Sequence, residues 1–195
     1  MATNNIGDIN IPRSPFLDVT TNRPAREWLM YLLKLGSLFS GYLKYGAFSD
    51  TTTQTATANT ATLITFNTTD YTNGVTVSSG SNLVVANAGT YNIQFSVQLE
   101  NTDTQLDDVS IWIRVNGVDV AGSTGYISVP NSHGGTPGHS VNGWNYFLQL
   151  NDNDYVQLVW STVAATTTIK YYAAATTPTR PATASVIATV NQVTP

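Results

Sequence analysis

An all-β jelly-roll sandwich is predicted for most of this chain, preceded by an extended N-terminal arm and one short helix, and three observations predict it. From residue 45 onward, eight or more short runs rich in β-branched and aromatic residues follow one another, among them TATLITF, NIQFSVQLEN, VSIWIRV, GWNYFLQL and SVIATVNQV. Gly, Asn, Asp or Pro separates these runs, and no helical segment intervenes, which is the pattern of packed antiparallel sheets. Asn116-Gly117, between VSIWIRV and VDVAGS, is a two-residue hairpin signal because both turn positions need positive φ.

Residues 1–23 hold Pro12, Pro15 and several Asn and Thr with little periodicity, so they read as an extended arm that orders on a partner. Pro24 suits a first helical residue, and Glu27 places an acid in the first turn, where the helix dipole favours it. The expected helix spans residues 24–39. Trp28, Leu32, Leu35 and Phe39 recur at spacings of four, three and four, and Leu29, Met30, Tyr31, Leu33 and Leu38 widen the stripe. A helix apolar on most sides requires cover. Its own β domain, a seam with identical helices, or a larger assembly can supply it.

In the strands, period-two parity puts Ile93, Phe95, Val97 and Leu99 on one face, and Val109, Ile111, Ile113 and Val115 on one face of the next. These eight are the expected core. The same parity turns Trp112 away from it, beside Ser110 and Arg114, and one of the adjacent Tyr171 and Tyr172 must also face outward. A subunit interface is the expected cover for these aromatics. Asp152-Asn153-Asp154 marks a second hairpin. The Thr-rich stretch 51–62 is strand-compatible, and no solenoid-length repeat is present.

Composition narrows the function. At 195 residues the chain supports one main core with a terminal segment to spare. The expected division is an arm-and-helix region, residues 1–45, and a head, residues 46–195. Charged residues make up 10%, against about 25% in an ordinary soluble domain. Residues 1–45 carry five cations and three acids, while residues 46–195 carry three cations and nine acids. An acidic head is a poor match for a phosphate backbone, so no nucleic-acid partner is expected. Without cysteine there is neither a disulfide framework nor a thiolate site. The N-terminus lacks the basic n-region of a secretory signal, and the apolar run from Trp28 is too short for membrane insertion.

Chemistry-bearing motifs are sparse. His133 and His139 lie in the Gly-rich loop NSHGGTPGHS without a carboxylate or thiol beside them to share a metal, so the segment reads as a mobile surface loop whose task, if it has one, is ligand contact rather than catalysis. Tyr126 and Trp144 flank that loop and are candidates for docking a glycan. Glu100, Asp103, Asp107 and Asp108 share the segment ENTDTQLDD, whose oxygens leave calcium open at Asp103, Asp107 and Asp108, but the spacing is not that of an EF-hand. No nucleophile elbow, zinc-protease helix or P-loop is present, so no catalytic residue, metal ligand or cofactor is assigned. Hydrolysis of a polysaccharide by carboxylates drawn from different strands is the weakest of the functional readings.

NAGTYNIQFSVQLEN, WIRVNGVDV, GWNYFLQLNDNDYVQLVW and the terminal SVIATVNQV together resemble the jelly-roll head of the complement globular-head and tumour necrosis factor-like proteins, in the versions carried by phages. The resemblance covers residues 46–195. It implies a homotrimer with an apolar three-fold seam, which would give Trp112, Tyr171 and Tyr172 their cover. Some members bind calcium, but no ligand position carries over. A second segment, PFLDVTTNRPAREWLMYL, is similar to N-terminal segments of tailed-phage virion proteins, with Asn22 standing where that pattern prefers Gly. Asn tolerates the left-handed conformation that Gly supplies.

The two resemblances imply a phage structural protein: a capsid decoration, head fibre or short tail-fibre knob, made in the host cytoplasm and released in the virion by lysis. Phe16, Leu17, Trp28, Leu32, Leu35 and Phe39 would anchor it to other virion proteins or pack the helix. A carbohydrate-binding module recognising a host surface glycan through His133, His139, Tyr126 and Trp144 is the alternative.

Overall fold

The computed structural model describes residues 11–42 and 44–194, with the backbone alone for 37–42. The chain divides into two units, Met1–Leu43 and Lys44–Pro195.

In the first unit, Asp18 organises a tight reversal. Its Oδ1 accepts hydrogen bonds from the backbone N–H groups of Thr20 at 2.8 Å and Thr21 at 3.0 Å, and its carbonyl accepts from Asn22 N at 2.8 Å. Asn22 sits at φ 51°, the left-handed conformation its sequence position calls for. Leu17 and Pro24 are thereby bridged, and Ala25 N–H donates to the Phe16 carbonyl. The helix α1 (Arg26–Tyr42) begins two residues later than Pro24, because Pro24 belongs to the reversal.

The described part of the arm, residues 11–23, is therefore not free extended chain. It folds onto the start of its own helix: Trp28 Nε1 donates to the Ser14 carbonyl at 2.9 Å, Ser14 Oγ donates to Glu27, and the Phe16 ring meets Trp28 edge-on at 5.6 Å. The first ten residues of the arm lie outside the described residues, as does the Phe39 side chain. Among the described residues no helix is long and apolar enough to cross a membrane.

Among the described residues the second unit contains fifteen strands. They are β1 (Tyr45–Asp50), β2 (Thr62–Leu63), β3 (Thr68–Asn73), β4 (Val75–Ser78), β5 (Asn82–Val85), β6 (Gly89–Asn101), β7 (Asp107–Val115), β8 (Val118–Asp119), β9 (Gly125–Val129), β10 (Gly138–Leu150), β11 (Tyr155–Thr162), β12 (Thr167–Ile169), β13 (Ala175–Thr176), β14 (Thr179–Arg180) and β15 (Val186–Thr194). One antiparallel sheet runs β10-β6-β15-β1-β3, with β12 also on β6. The other runs β4-β5-β11-β7-β8, with β2 on β11 and β9 on β7, and β13 and β14 form a separate hairpin.

Eight of these strands, β1, β5, β6, β7, β9, β10, β11 and β15, carry the connectivity. The first of them pairs with the eighth, the second with the seventh, the third with the sixth and the fourth with the fifth. A long hairpin wrapped across two sheets produces that order, which is the jelly roll.

The core lies between the sheets. Tyr91, Ile93, Phe95, Val97 and Leu99 of β6, with Val186, Ala188 and Val190 of β15 beside them in the same sheet, pack into one core with Val109, Ile111 and Ile113 of β7 and Leu158 and Trp160 of β11 from the other. Seven of the eight residues expected there are buried, and Val115, next to the turn, is partly buried against them. Asn116 and Gly117 both have positive φ, 50° and 81°, as the two-residue hairpin demands. Asn153 has φ 64° at the other expected turn.

Candidate functional site

A group of ionisable and polar side chains forms at one end of the β10-β6-β15 sheet. Glu100 is the penultimate residue of β6, and the ladder places His139 of β10 opposite it on one side and Thr168 of β12 on the other. Lys170 follows β12 directly, and its N–H donates to the Gln98 carbonyl at 2.7 Å. Tyr172 is fixed by a reciprocal backbone pair with Thr183. Arg180 ends β14, with its guanidinium 5.7 Å from the centre of the Tyr172 ring.

Glu100 is only 6% exposed, so its carboxylate needs partners. Lys170 Nζ lies 2.8 Å from Oε1, and Tyr172 Oη donates to Oε2 at 2.8 Å. Burial pushes the Glu100 carboxyl upward, but the hydrogen bonds from Lys170 and Tyr172, with the nearby charges of Lys170 and His139, outweigh it and hold the group below its ordinary range. Tyr172 moves the other way: burial, together with its bond to the Glu100 carboxylate, pushes the phenol well above its usual range. It is a lasting hydrogen-bond donor, not a base or nucleophile.

Proton counting then settles His139. Tyr172 has one hydroxyl proton, and Glu100 takes it. The 3.0 Å contact between Tyr172 Oη and His139 Nδ1 is therefore an Nδ1–H donating to the phenol oxygen. Nε2 takes no part in that contact. Beside this relay lies an open cavity of about 300 Å³ lined by Gln98, Leu99, His139, Tyr172, Arg180 and Thr183.

The remaining candidates are dispersed. His133 is exposed and held by backbone bonds with Thr136 within its loop, so the two histidines differ in role: His139 belongs to the relay and His133 does not. Tyr126 is 82% exposed on β9, between the inward-facing Gly125 and Ile127 positions. Trp144 packs inward instead, its ring 4.6 Å from Phe95 and so close to Gly125 that a Cβ there would meet it at 2.6 Å. The two aromatics that flank the loop in sequence do not form one platform.

Trp112 does turn away from the core, but it finds partners in its own hairpin: its Nε1 and Arg114 Nε each donate to Asp119 Oδ1 at 2.8 Å. It lies on the opposite sheet from the β6 end where Tyr172 is held. Tyr171 is half-buried, and its N–H donates to Thr53 Oγ1 at 3.2 Å.

The acidic segment is committed to structure. Asp107 is buried and accepts from the Thr162 hydroxyl and from Ala164 N–H, Asp108 accepts from Ser128 Oγ at 2.6 Å, and Asp103 accepts from Gln105 N–H. Among the described residues, no three His, Cys, Asp or Glu side chains gather as they would around a metal. In the first unit, Phe16 and Trp28 are joined, Leu17 is bridged to Pro24, Leu32 is exposed and Leu35 is half-buried.

The relay escapes sequence reading because Glu100 and Tyr172 are separated by more than seventy positions and meet only through the pairing of β12 with β6. The sequence does carry one signal: Glu100 follows an alternating apolar strand, and Lys170 and Tyr172 sit together in IKYY. Comparison with family models and with curated proteins returns no match.

Proposed function

We propose that the protein is a non-catalytic structural protein of a virion surface, in which three jelly-roll heads associate and the arm and helix attach them to the particle. The observation that carries the self-association is the outer face of the β10-β6-β15-β1 sheet. Its outward positions are Thr, Ser, Asn, Gln and apolar residues, with Tyr45, Val141, Phe147, Ile187 and Val193 exposed. The charged Glu100 and the titratable His139 stand only at its end. Depletion of charge with retained apolar and amide area is the composition of an interface core.

The attachment role is supported by the helix. Leu29, Met30, Leu32 and Leu33 are exposed on α1, and the reversal at Asp18 presents that helix as a unit of its own. Identical helices or a neighbouring virion protein would cover them. Three linked heads would also multiply weak surface contacts through avidity.

Particles assembled in the presence of the full chain, or of a chain beginning at Lys44, provide the test. Mass spectrometry of purified particles is expected to find the full chain and not the shortened one. Equal incorporation of both would overturn the attachment role.

A further inference from the structure

The cavity beside the Glu100–Tyr172–His139 relay has a charge balance that the rest of the head does not share. Of Arg114, Lys170 and Arg180, among the described residues the first pairs with Asp119 and the second with Glu100. Arg180 thus pairs with no carboxylate there. Its hydrogen bonds run from one terminal nitrogen to the carbonyls of Ala173 and Pro181, at 3.3 Å and 3.5 Å. The other guanidinium nitrogens remain available for a forked contact. Glu100, the acid of the site, does not neutralise Arg180, because both its oxygens are taken by Lys170 and Tyr172. A local positive centre results, in a region with three cations against nine acids.

We propose that this cavity binds a carboxylate-bearing sugar unit, with Arg180 pairing with the carboxylate and Gln98, Thr183 and His139 meeting ring hydroxyls. The lining favours a sugar acid over a phosphate. A phosphate dianion calls for several donors, whereas here one cation stands beside an amide, a hydroxyl and an imidazole. His139 meets Tyr172 through Nδ1, which leaves Nε2 for a sugar hydroxyl. Tyr172 orients that ring and also holds the guanidinium over its own, so it is a positioning residue. A volume of about 300 Å³ lies at the small end of ligand cavities and suits a single sugar ring.

Full-length protein titrated with glucuronate and with N-acetylneuraminate, followed by calorimetry, tests the assignment, with glucose and inorganic phosphate as controls. Saturable millimolar binding of at least one acidic sugar is expected, and which one binds separates a uronic-acid polymer from a sialylated glycan as the source. Glucose should bind about tenfold more weakly or not at all, and Arg180→Gln should weaken the acidic sugar about tenfold with an unchanged melting temperature. Tyr172→Phe keeps the ring but removes the hydroxyl that orders His139, and is expected to weaken binding less than Arg180→Gln. Absence of saturation by either acid, undiminished binding by Arg180→Gln, or phosphate binding as tight as the sugar acid would each overturn the proposal.

Discussion

The two units of this chain spend their apolar residues in opposite ways. In the head, large side chains such as Ile93, Leu158 and Trp160 are 0% exposed and the polar alternates face outward. On α1, Leu33 is 60% exposed and Leu29 49%. The head buries a core of its own between two sheets of one chain, so its fold is intrinsic. The helix is secured at its first turn by Ser14, Phe16 and Trp28, while the leucines further along have no such cover in this unit. That contrast separates a region that builds its own core from a helix whose described leucines stay largely outside one.

The largest effect should come from breaking the head. Ile93→Ala removes a fully buried side chain facing the second sheet and is expected to cost about 2–5 kcal/mol in chemical denaturation. Leu33→Ala, an equally large truncation on the helix, is expected to change single-chain stability by less than about 0.5 kcal/mol. Equal costs for the two would erase the distinction between the units.

Lys170→Met comes next. It leaves the Glu100 carboxylate buried with Tyr172 as its remaining partner, and about 1–3 kcal/mol should be lost at neutral pH. The sign of the pH dependence follows from Glu100 itself. Its folded-state value lies below the unfolded one, so its contribution is present above about pH 4.3 and is lost as pH falls through the lowered value. Glu100→Gln should flatten that acid limb of the stability curve, read as melting temperature against pH. A wild-type limb unchanged by the substitution would mean that the relay does not hold the carboxylate.

Smaller still is Gly117→Ala. At φ 81° an alanine is strained by about 1 kcal/mol, and thermal melts should show the loss in the head without touching the helix.

Much of this architecture could be read from local signals. Parity alone separates Ile93, Phe95, Val97 and Leu99 from their outward neighbours, because a strand buried on one face repeats every two residues. Asn116-Gly117 and Asn22 announced positive φ, since few residue types tolerate it. What stayed hidden depends on contacts far apart in sequence or on partners too short to weigh. Parity turns Trp112 outward but cannot see Asp119 returning across a two-residue turn to meet its indole. The arm looked extended because Asp18 capping Thr20 and Thr21 is a three-residue event inside a Thr-rich stretch. Trp144 and Tyr126 flank the His loop in sequence, yet they sit on different sheets and only Trp144 turns inward.

The central claim is that the uncharged face of the β10-β6-β15-β1 sheet joins heads to one another. Light scattering of the full chain and of residues 44–195 tests it most directly. A mass of three chains is predicted for both, since the face belongs to the head. A single-chain mass for residues 44–195 would contradict the claim, whatever the full chain does.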